Sequence, residues 1–213
     1  MTAKAAAAHA REICELAPIV PVLVVDDVSH ARPLAEALIA GGLPALEVTL
    51  RTPAALEVIA AMAAVPGGVV GAGTLVTPDD VRNAKEAGAK FGVSPGATDA
   101  LIAACEAEEL PLLPGAATAT EAMALLARGY DMLKFFPAEA SGGAPALKAI
   151  GAPLPQISFC PTGGVSLENA ESYLSLPTVI CAGGSWVAPK DKVLAGDWAG
   201  IEALARDAAA LPR

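Results

Sequence analysis

The chain has 213 residues, 54% of them hydrophobic and 17% charged, with a formal net charge of −9. That composition excludes a disordered chain, since it carries enough apolar material for one sizeable core. The acidic balance, with no basic run, argues against a nucleic-acid partner, and no apolar run approaches the roughly 20 residues that cross a bilayer.

The first residues are Ala-rich but interrupted by His9, Arg11, Glu12 and Glu15. An amphipathic N-terminal helix is expected there rather than a signal peptide, and a cytoplasmic location with it. Eight short apolar runs follow: Ile19–Val25, Ala45–Leu50, Val69–Thr74, Phe91–Gly96, Leu110–Gly115, Met132–Pro137, Ile157–Thr162 and Val179–Gly184. Each is apolar throughout rather than alternating, the pattern of parallel strands buried on both faces. Helical segments separate them, among them Arg32–Ala40, Pro53–Ala64 and Pro78–Ala87. Gly41, Gly88 and Gly129 sit where a left-handed C-cap is wanted. Thr77-Pro-Asp-Asp80 and Thr118-Ala-Thr-Glu121 have the form of capping boxes, and both follow directly on a strand. Beyond Trp186, the stretch Val187–Asp197 leads into a closing helix that runs to Ala210. Eight strands with starts about 19 to 26 residues apart predict a (β/α)8 TIM barrel with an N-terminal helix, a single domain over residues 1–213. A doubly wound open sheet is the alternative.

Cys14, Cys105, Cys160 and Cys181 are far apart along the chain and form no CxxC pair. They read as buried thiols of a reducing compartment. The two histidines, His9 and His30, belong to no ligand pattern, so neither a metal nor another cofactor is expected.

In a barrel, chemistry sits at the C-terminal strand ends and in the loops after them. Lys134 is the sharpest signal there, because it alone among seven lysines lies inside an apolar strand, Met132-Leu-Lys-Phe-Phe-Pro137. A buried lysine is either paired or shifted towards its neutral form, and a neutral amine attacks a ketone to form an imine. A purely structural lysine, ion-paired inside the barrel to Glu47, is the other reading. Glu47 lies among apolar neighbours in Ala45-Leu-Glu-Val-Thr-Leu50, where it is either that partner or a proton shuttle. Arg51 ends the same strand, and its planar fork suits a carboxylate. Alone, it would pass for a solvated surface residue. Thr74 closes Gly71-Ala-Gly-Thr74, which is no dinucleotide fingerprint, because Val76 stands where the third glycine belongs. Thr162-Gly-Gly164 and Gly183-Gly-Ser185 end the last two strands, where glycine loops with free amides bind phosphate or merely turn tightly.

Together these motifs resemble the 2-keto-3-deoxy-6-phosphogluconate (KDPG) / 4-hydroxy-2-oxoglutarate (KHG) aldolase family. The resemblance runs from about Val20 to Trp186. It rests on Pro21-Val-Leu-Val-Val25, Leu46-Glu-Val-Thr-Leu-Arg-Thr52, Gly71-Ala-Gly-Thr74, Ser94-Pro-Gly96, Leu133-Lys-Phe-Phe-Pro-Ala-Glu139, Phe159-Cys-Pro-Thr-Gly-Gly164 and Gly183-Gly-Ser-Trp186. The resemblance implies a class I aldolase of the Entner-Doudoroff pathway. Lys134 would be its Schiff-base nucleophile and Glu47 its general acid/base. Arg51, Thr74 and Thr162 would hold the substrate carboxylate, Pro95 and Phe136 would shape the pocket, and Gly163, Gly164, Gly184 and Ser185 would bind phosphate. It also implies a homotrimer that needs no metal. Asp26-Asp27 departs from relatives that carry a basic residue after the first strand, which leaves open a preference for a smaller, unphosphorylated keto acid. A phosphate-binding isomerase or synthase and a non-catalytic sugar-acid-binding barrel are the competing functions. The isomerase or synthase has no need for Lys134 in a strand, and intact ligand affinity without turnover would mark the binder.

Overall fold

The apolar runs form parallel strands, each followed by helical or turning chain. The computed structural model describes all 213 residues. Its strands are β1 (Ile19–Leu23), β2 (Ala45–Thr49), β3 (Val69–Gly73), β4 (Phe91–Val93), β5 (Leu112–Leu113), β6 (Gly115–Ala116), β7 (Met132–Phe135), β8 (Ser158–Pro161) and β9 (Ala182–Gly184). Six of them make one sheet in the order β5-β4-β3-β2-β1-β9, and three make another, β6-β7-β8. Every pairing is parallel.

The sequence predicts a single barrel of eight strands; the structure instead holds two ladders built from nine. Proline accounts for both interruptions, since it has no N–H to give a ladder. Pro114 cuts the fifth run into β5, which pairs with β4, and β6, which pairs with β7. Along β8 the amides alternate in direction. Phe159 donates to Thr178 at 2.7 Å on the β9 side, and Thr162 donates to Phe135 at 2.9 Å on the β7 side. Pro161 therefore withdraws a donor on the β9 side, and β8 meets the last strand segment only at the bridges Phe159–Val179 and Thr162–Gly183.

The helices are α1 (Ala3–Cys14), α2 (Ala31–Ala40), α3 (Ala55–Ala63), α4 (Pro78–Glu86), α5 (Asp99–Ala107), α6 (Ala119–Ala127), α7 (Gly143–Gly151), α8 (Ala170–Leu174), α9 (Lys190–Ala195) and α10 (Trp198–Ala209). Both expected capping boxes are present, at Thr77 with Asp80 and at Thr118 with Glu121. Gly88 and Gly129 take left-handed backbone, φ +96° and +102°. The expected left-handed cap at Gly41 is displaced by one residue, to Gly42 at φ +94°. Gly41 is required for another reason: a Cβ there would stand 2.4 Å from that of Ala205 on α10.

Most buried side chains lie between the strands and the helices. A second apolar cluster draws Val20, Ala45, Phe91, Val93 and Leu113 from one sheet, and Met132 and Cys160 from the other. Cys14 from α1 and Cys181 join it, so the N-terminal helix seals this end of the molecule. Arg11 fastens the seal by donating to Ser158 Oγ at 2.9 Å and to the Asp131 carbonyl at 3.3 Å. Cysteines distant in the chain thus meet in space.

All four thiols are unpaired and buried. Burial pushes the Cys105 thiol up to about 12, so it stays protonated and inert at neutral pH. An aromatic disulfide reagent near pH 8 is expected to label none of them in the native protein and all four after denaturation. Thiolate absorbance released before and after adding denaturant checks this.

Candidate active site

Side-chain alternation along β2 sends Leu46 and Val48 into the main core and turns Glu47 the other way. The same alternation on β7 turns Lys134 away from Leu133 and Phe135. Although β2 and β7 belong to different sheets, Lys134 Nζ donates to Glu47 Oε1 at 3.2 Å. The two sheets therefore curl to face each other across this pair. Lys134 is 4% exposed and Glu47 2%, so a full ion pair has left water. Such pairs seldom stabilise a fold better than apolar residues of similar volume, because desolvation offsets their attraction. The lysine ammonium also stands 5.2 Å from the Phe136 ring centroid, a cation–π distance.

The neighbouring strand makes room for the carboxylate. A Cβ on Gly73 would lie 2.2 Å from Glu47 Oε1, so no larger residue fits there without displacing Glu47. The next residue, Thr74, has φ +65°, a left-handed conformation that a β-branched residue rarely adopts and that costs on the order of 1–3 kcal/mol. Its hydroxyl accepts a hydrogen bond from Arg51 Nε at 3.3 Å. Strained backbone thus sets a hydroxyl and a guanidinium side by side at adjacent strand ends.

A cavity of about 330 Å³ opens over the pair. Arg51, Lys134, Phe136 and Thr162 line one part of it, and Gly163, Gly164 and Ser185 another. Seven of the eleven residues singled out from the sequence therefore converge on one space. The other four do not line it. Glu47 backs Lys134 and Thr74 backs Arg51. The Pro95 carbonyl is packed so tightly on Gly115 that a Cβ there would be 2.3 Å away. Gly184 lies against the Trp186 ring, 1.8 Å from where its Cβ would be. Gly183, part of the Gly183-Gly-Ser185 loop, also lines the cavity, as do Val22, Val24 and Val165, which sequence reasoning missed. For Val22 a signal existed: it lies two residues from Val20, whose side chain joins the inner cluster, and directly opposite Glu47 in register.

The acidic pair after β1 does not stand free at the mouth. Asp27 caps the short 3-10 turn Val28–His30, and the hydroxyl and amide of Ser29 hold its carboxyl below the usual range. Asp26 pairs with Lys190 at 3.0 Å. Among histidine, cysteine, aspartate and glutamate side chains, no group of three is spaced to hold a metal ion.

Comparison with known proteins supplies a context for this geometry. The family model for KDPG and KHG aldolases matches residues 10–204. The 2-dehydro-3-deoxy-phosphogluconate aldolase of Pseudoalteromonas atlantica is 53% identical over 201 residues, 94% of each chain. The crystal structure of the Zymomonas mobilis 2-keto-3-deoxy-6-phosphogluconate aldolase with 3-phosphoglycerate superposes with a TM-score of 0.91 at 50% identity, covering 95% of both chains. The KDPG aldolase of Legionella pneumophila, with pyruvate captured at low pH as a covalent carbinolamine, also gives 0.91, at 44% identity over 94% of this chain and 98% of that one.

Proposed function

Since the chain belongs to the KDPG and KHG aldolase family, we propose that it cleaves 2-keto-3-deoxy-6-phosphogluconate to pyruvate and glyceraldehyde 3-phosphate through an imine on Lys134. It is a carbon–carbon lyase of the aldolase type. 4-Hydroxy-2-oxoglutarate, cleaved to pyruvate and glyoxylate, is a second substrate under the same reading. The observation that carries the proposal is the buried Lys134–Glu47 pair at the base of the cavity. An isomerase or synthase has no need of such a lysine in a strand. The finer fold reading, that the two sheets together make one (β/α)8 barrel over residues 1–213, is supported by their meeting at Thr162–Gly183 and across Glu47–Lys134.

Each step uses a group already in place. Lys134 passes its proton to the neighbouring Glu47 and adds through Nζ to C2 of the keto acid. The resulting carbinolamine loses water, assisted by Glu47, and leaves a protonated imine. Glu47, again a carboxylate after the loss of water, takes the proton of the C4 hydroxyl as the C3–C4 bond breaks. The aldehyde departs as glyceraldehyde 3-phosphate, and the bond's electrons enter the imine to give an enamine. Glu47 returns a proton to C3, and hydrolysis frees pyruvate and the lysine. Arg51 and Thr74, with Thr162 nearby, hold the carboxylate, while Pro95 and Phe136 shape the apolar wall around C2. Gly163, Gly164, Gly184 and Ser185 receive the phosphate on backbone amides and a hydroxyl. The same reading includes a homotrimer in a reducing cytoplasm, where unpaired thiols persist.

Borohydride added in the presence of pyruvate is expected to attach one reduced pyruvyl group to Lys134, read by peptide mass. Labelling of a different lysine, or of none, in a preparation that cleaves the substrate would overturn the imine assignment.

A further inference from the structure

The loop that follows β8 has its carbonyls captured in succession from one side. The Ala138 amide donates to the Thr162 carbonyl at 2.8 Å, and the Glu139 amide donates to the Gly163 carbonyl at 3.0 Å. Asn169 Nδ2 donates to the Gly164 carbonyl, also at 3.0 Å. In a trans peptide the carbonyl and the next amide point in opposite directions. The amides of Gly163, Gly164 and Val165 are therefore turned the other way, and all three residues line the cavity. None of these amides donates to any atom of the protein. Gly163 and Gly164 both take left-handed backbone, φ +98° and +82°, so successive amides can converge on an anion.

What holds this arrangement comes from outside the cavity. Glu139 lies directly beneath Gly164, its Cγ and Cβ at 2.6 and 2.7 Å from the place of a Cβ there. Its carboxylate accepts a hydrogen bond from the Tyr173 hydroxyl. Burial, together with the adjacent Glu139 carboxylate, raises the Tyr173 phenol above its ordinary value, so it remains a donor at neutral pH. Asn169 is held at its other end, where Oδ1 accepts from the Ser166 amide at 2.8 Å. Asn169 precedes α8 and Tyr173 lies within it, so a single short helix anchors both supports.

We propose that Asn169, Glu139 and Tyr173 are positioning residues that hold the Gly163–Val165 amides in the geometry that receives the substrate's distal phosphate. None of the three lines the cavity, so each acts only through the loop. This inference rests on the proposed aldolase reading, and it makes a prediction that a purely structural role does not. Weakening the support should harm only the phosphate-bearing half of the substrate.

Steady-state kinetics on Tyr173→Phe and Asn169→Ala, with KDPG and with unphosphorylated 4-hydroxy-2-oxoglutarate, test it. Each variant is expected to raise KM for KDPG roughly ten- to hundredfold, the scale of one positioned hydrogen bond to a charged group. Within about twofold, kcat and both constants for 4-hydroxy-2-oxoglutarate should stay unchanged. The inhibition constant of inorganic phosphate should rise in parallel with KM. Glu139→Gln, which still accepts from Tyr173 and keeps its stem under Gly164, should behave as wild type. Equal losses on both substrates, or no loss on either, would overturn the proposal, and Tyr173→Phe decides the matter if Asn169→Ala fails to fold. A wild-type protein that cleaves neither substrate would instead remove the aldolase reading itself.

Discussion

Replacing Lys134 by methionine is expected to lower kcat/KM for KDPG cleavage by roughly 10⁵-fold or more, the scale seen when the group forming a covalent intermediate is lost. Methionine matches the length of the lysine stem but has no nitrogen to form the imine, so borohydride with pyruvate should leave no adduct. A second effect accompanies this one. Glu47, 2% exposed, loses the ammonium that stands 3.2 Å from it. Breaking a buried pair from one side costs about 3–5 kcal/mol, because an unmatched charge remains in a dry site. The double variant Lys134→Met with Glu47→Gln removes that charge and should recover most of the stability while remaining inactive. Chemical denaturation of the single and double variants, beside their rates, separates the two roles. If the double variant regained activity together with stability, the pair would be structural only.

Glu47→Gln alone is expected to reduce kcat by about 10²- to 10⁴-fold, the usual contribution of a general acid/base. Glutamine keeps the side-chain length and an oxygen to accept from Lys134, but it cannot carry a proton between carbinolamine, water and C3. The imine should still form slowly, so prolonged borohydride trapping should still modify Lys134. Exchange of the pyruvate methyl protons with deuterium, followed by NMR, should slow by a factor similar to kcat, because it requires the C3 proton relay without any aldehyde. Undiminished exchange beside impaired cleavage would move the C3 proton to another group and confine Glu47 to the leaving aldehyde.

Much of the site was readable because its residues break local rules. A lysine and a glutamate inside apolar strands stand out from composition alone, and glycine pairs at two strand ends mark places where backbone must be approached closely. Thr162, Gly163, Gly164 and Ser185 were found in this way and do line the cavity. Val22 and Val24 were passed over because a valine in a strand carries no chemical signal of its own; only the curl of the sheet brings them to the cavity. Thr74 was found through its glycine neighbours, but its positive φ and its contact with Arg51 follow from how β2 and β3 end in space. Asn169 and Tyr173 gave no signal at all, since each acts through a loop distant in sequence.

By itself the sequence determined the order and type of the elements, the capping of α4 and α6, the inward set of Lys134 and Glu47, and the family. These depend on periodicity, side-chain chemistry and local hydrogen bonding, which are properties of neighbouring residues. Tertiary structure alone decided that Glu47 and Lys134 meet across two sheets, that prolines 114 and 161 interrupt the ladders, and that α8 sets the direction of the Gly163–Val165 amides. Each of those depends on distances between segments remote in the chain, and a residue pattern carries no metric for such distances until the strands are packed.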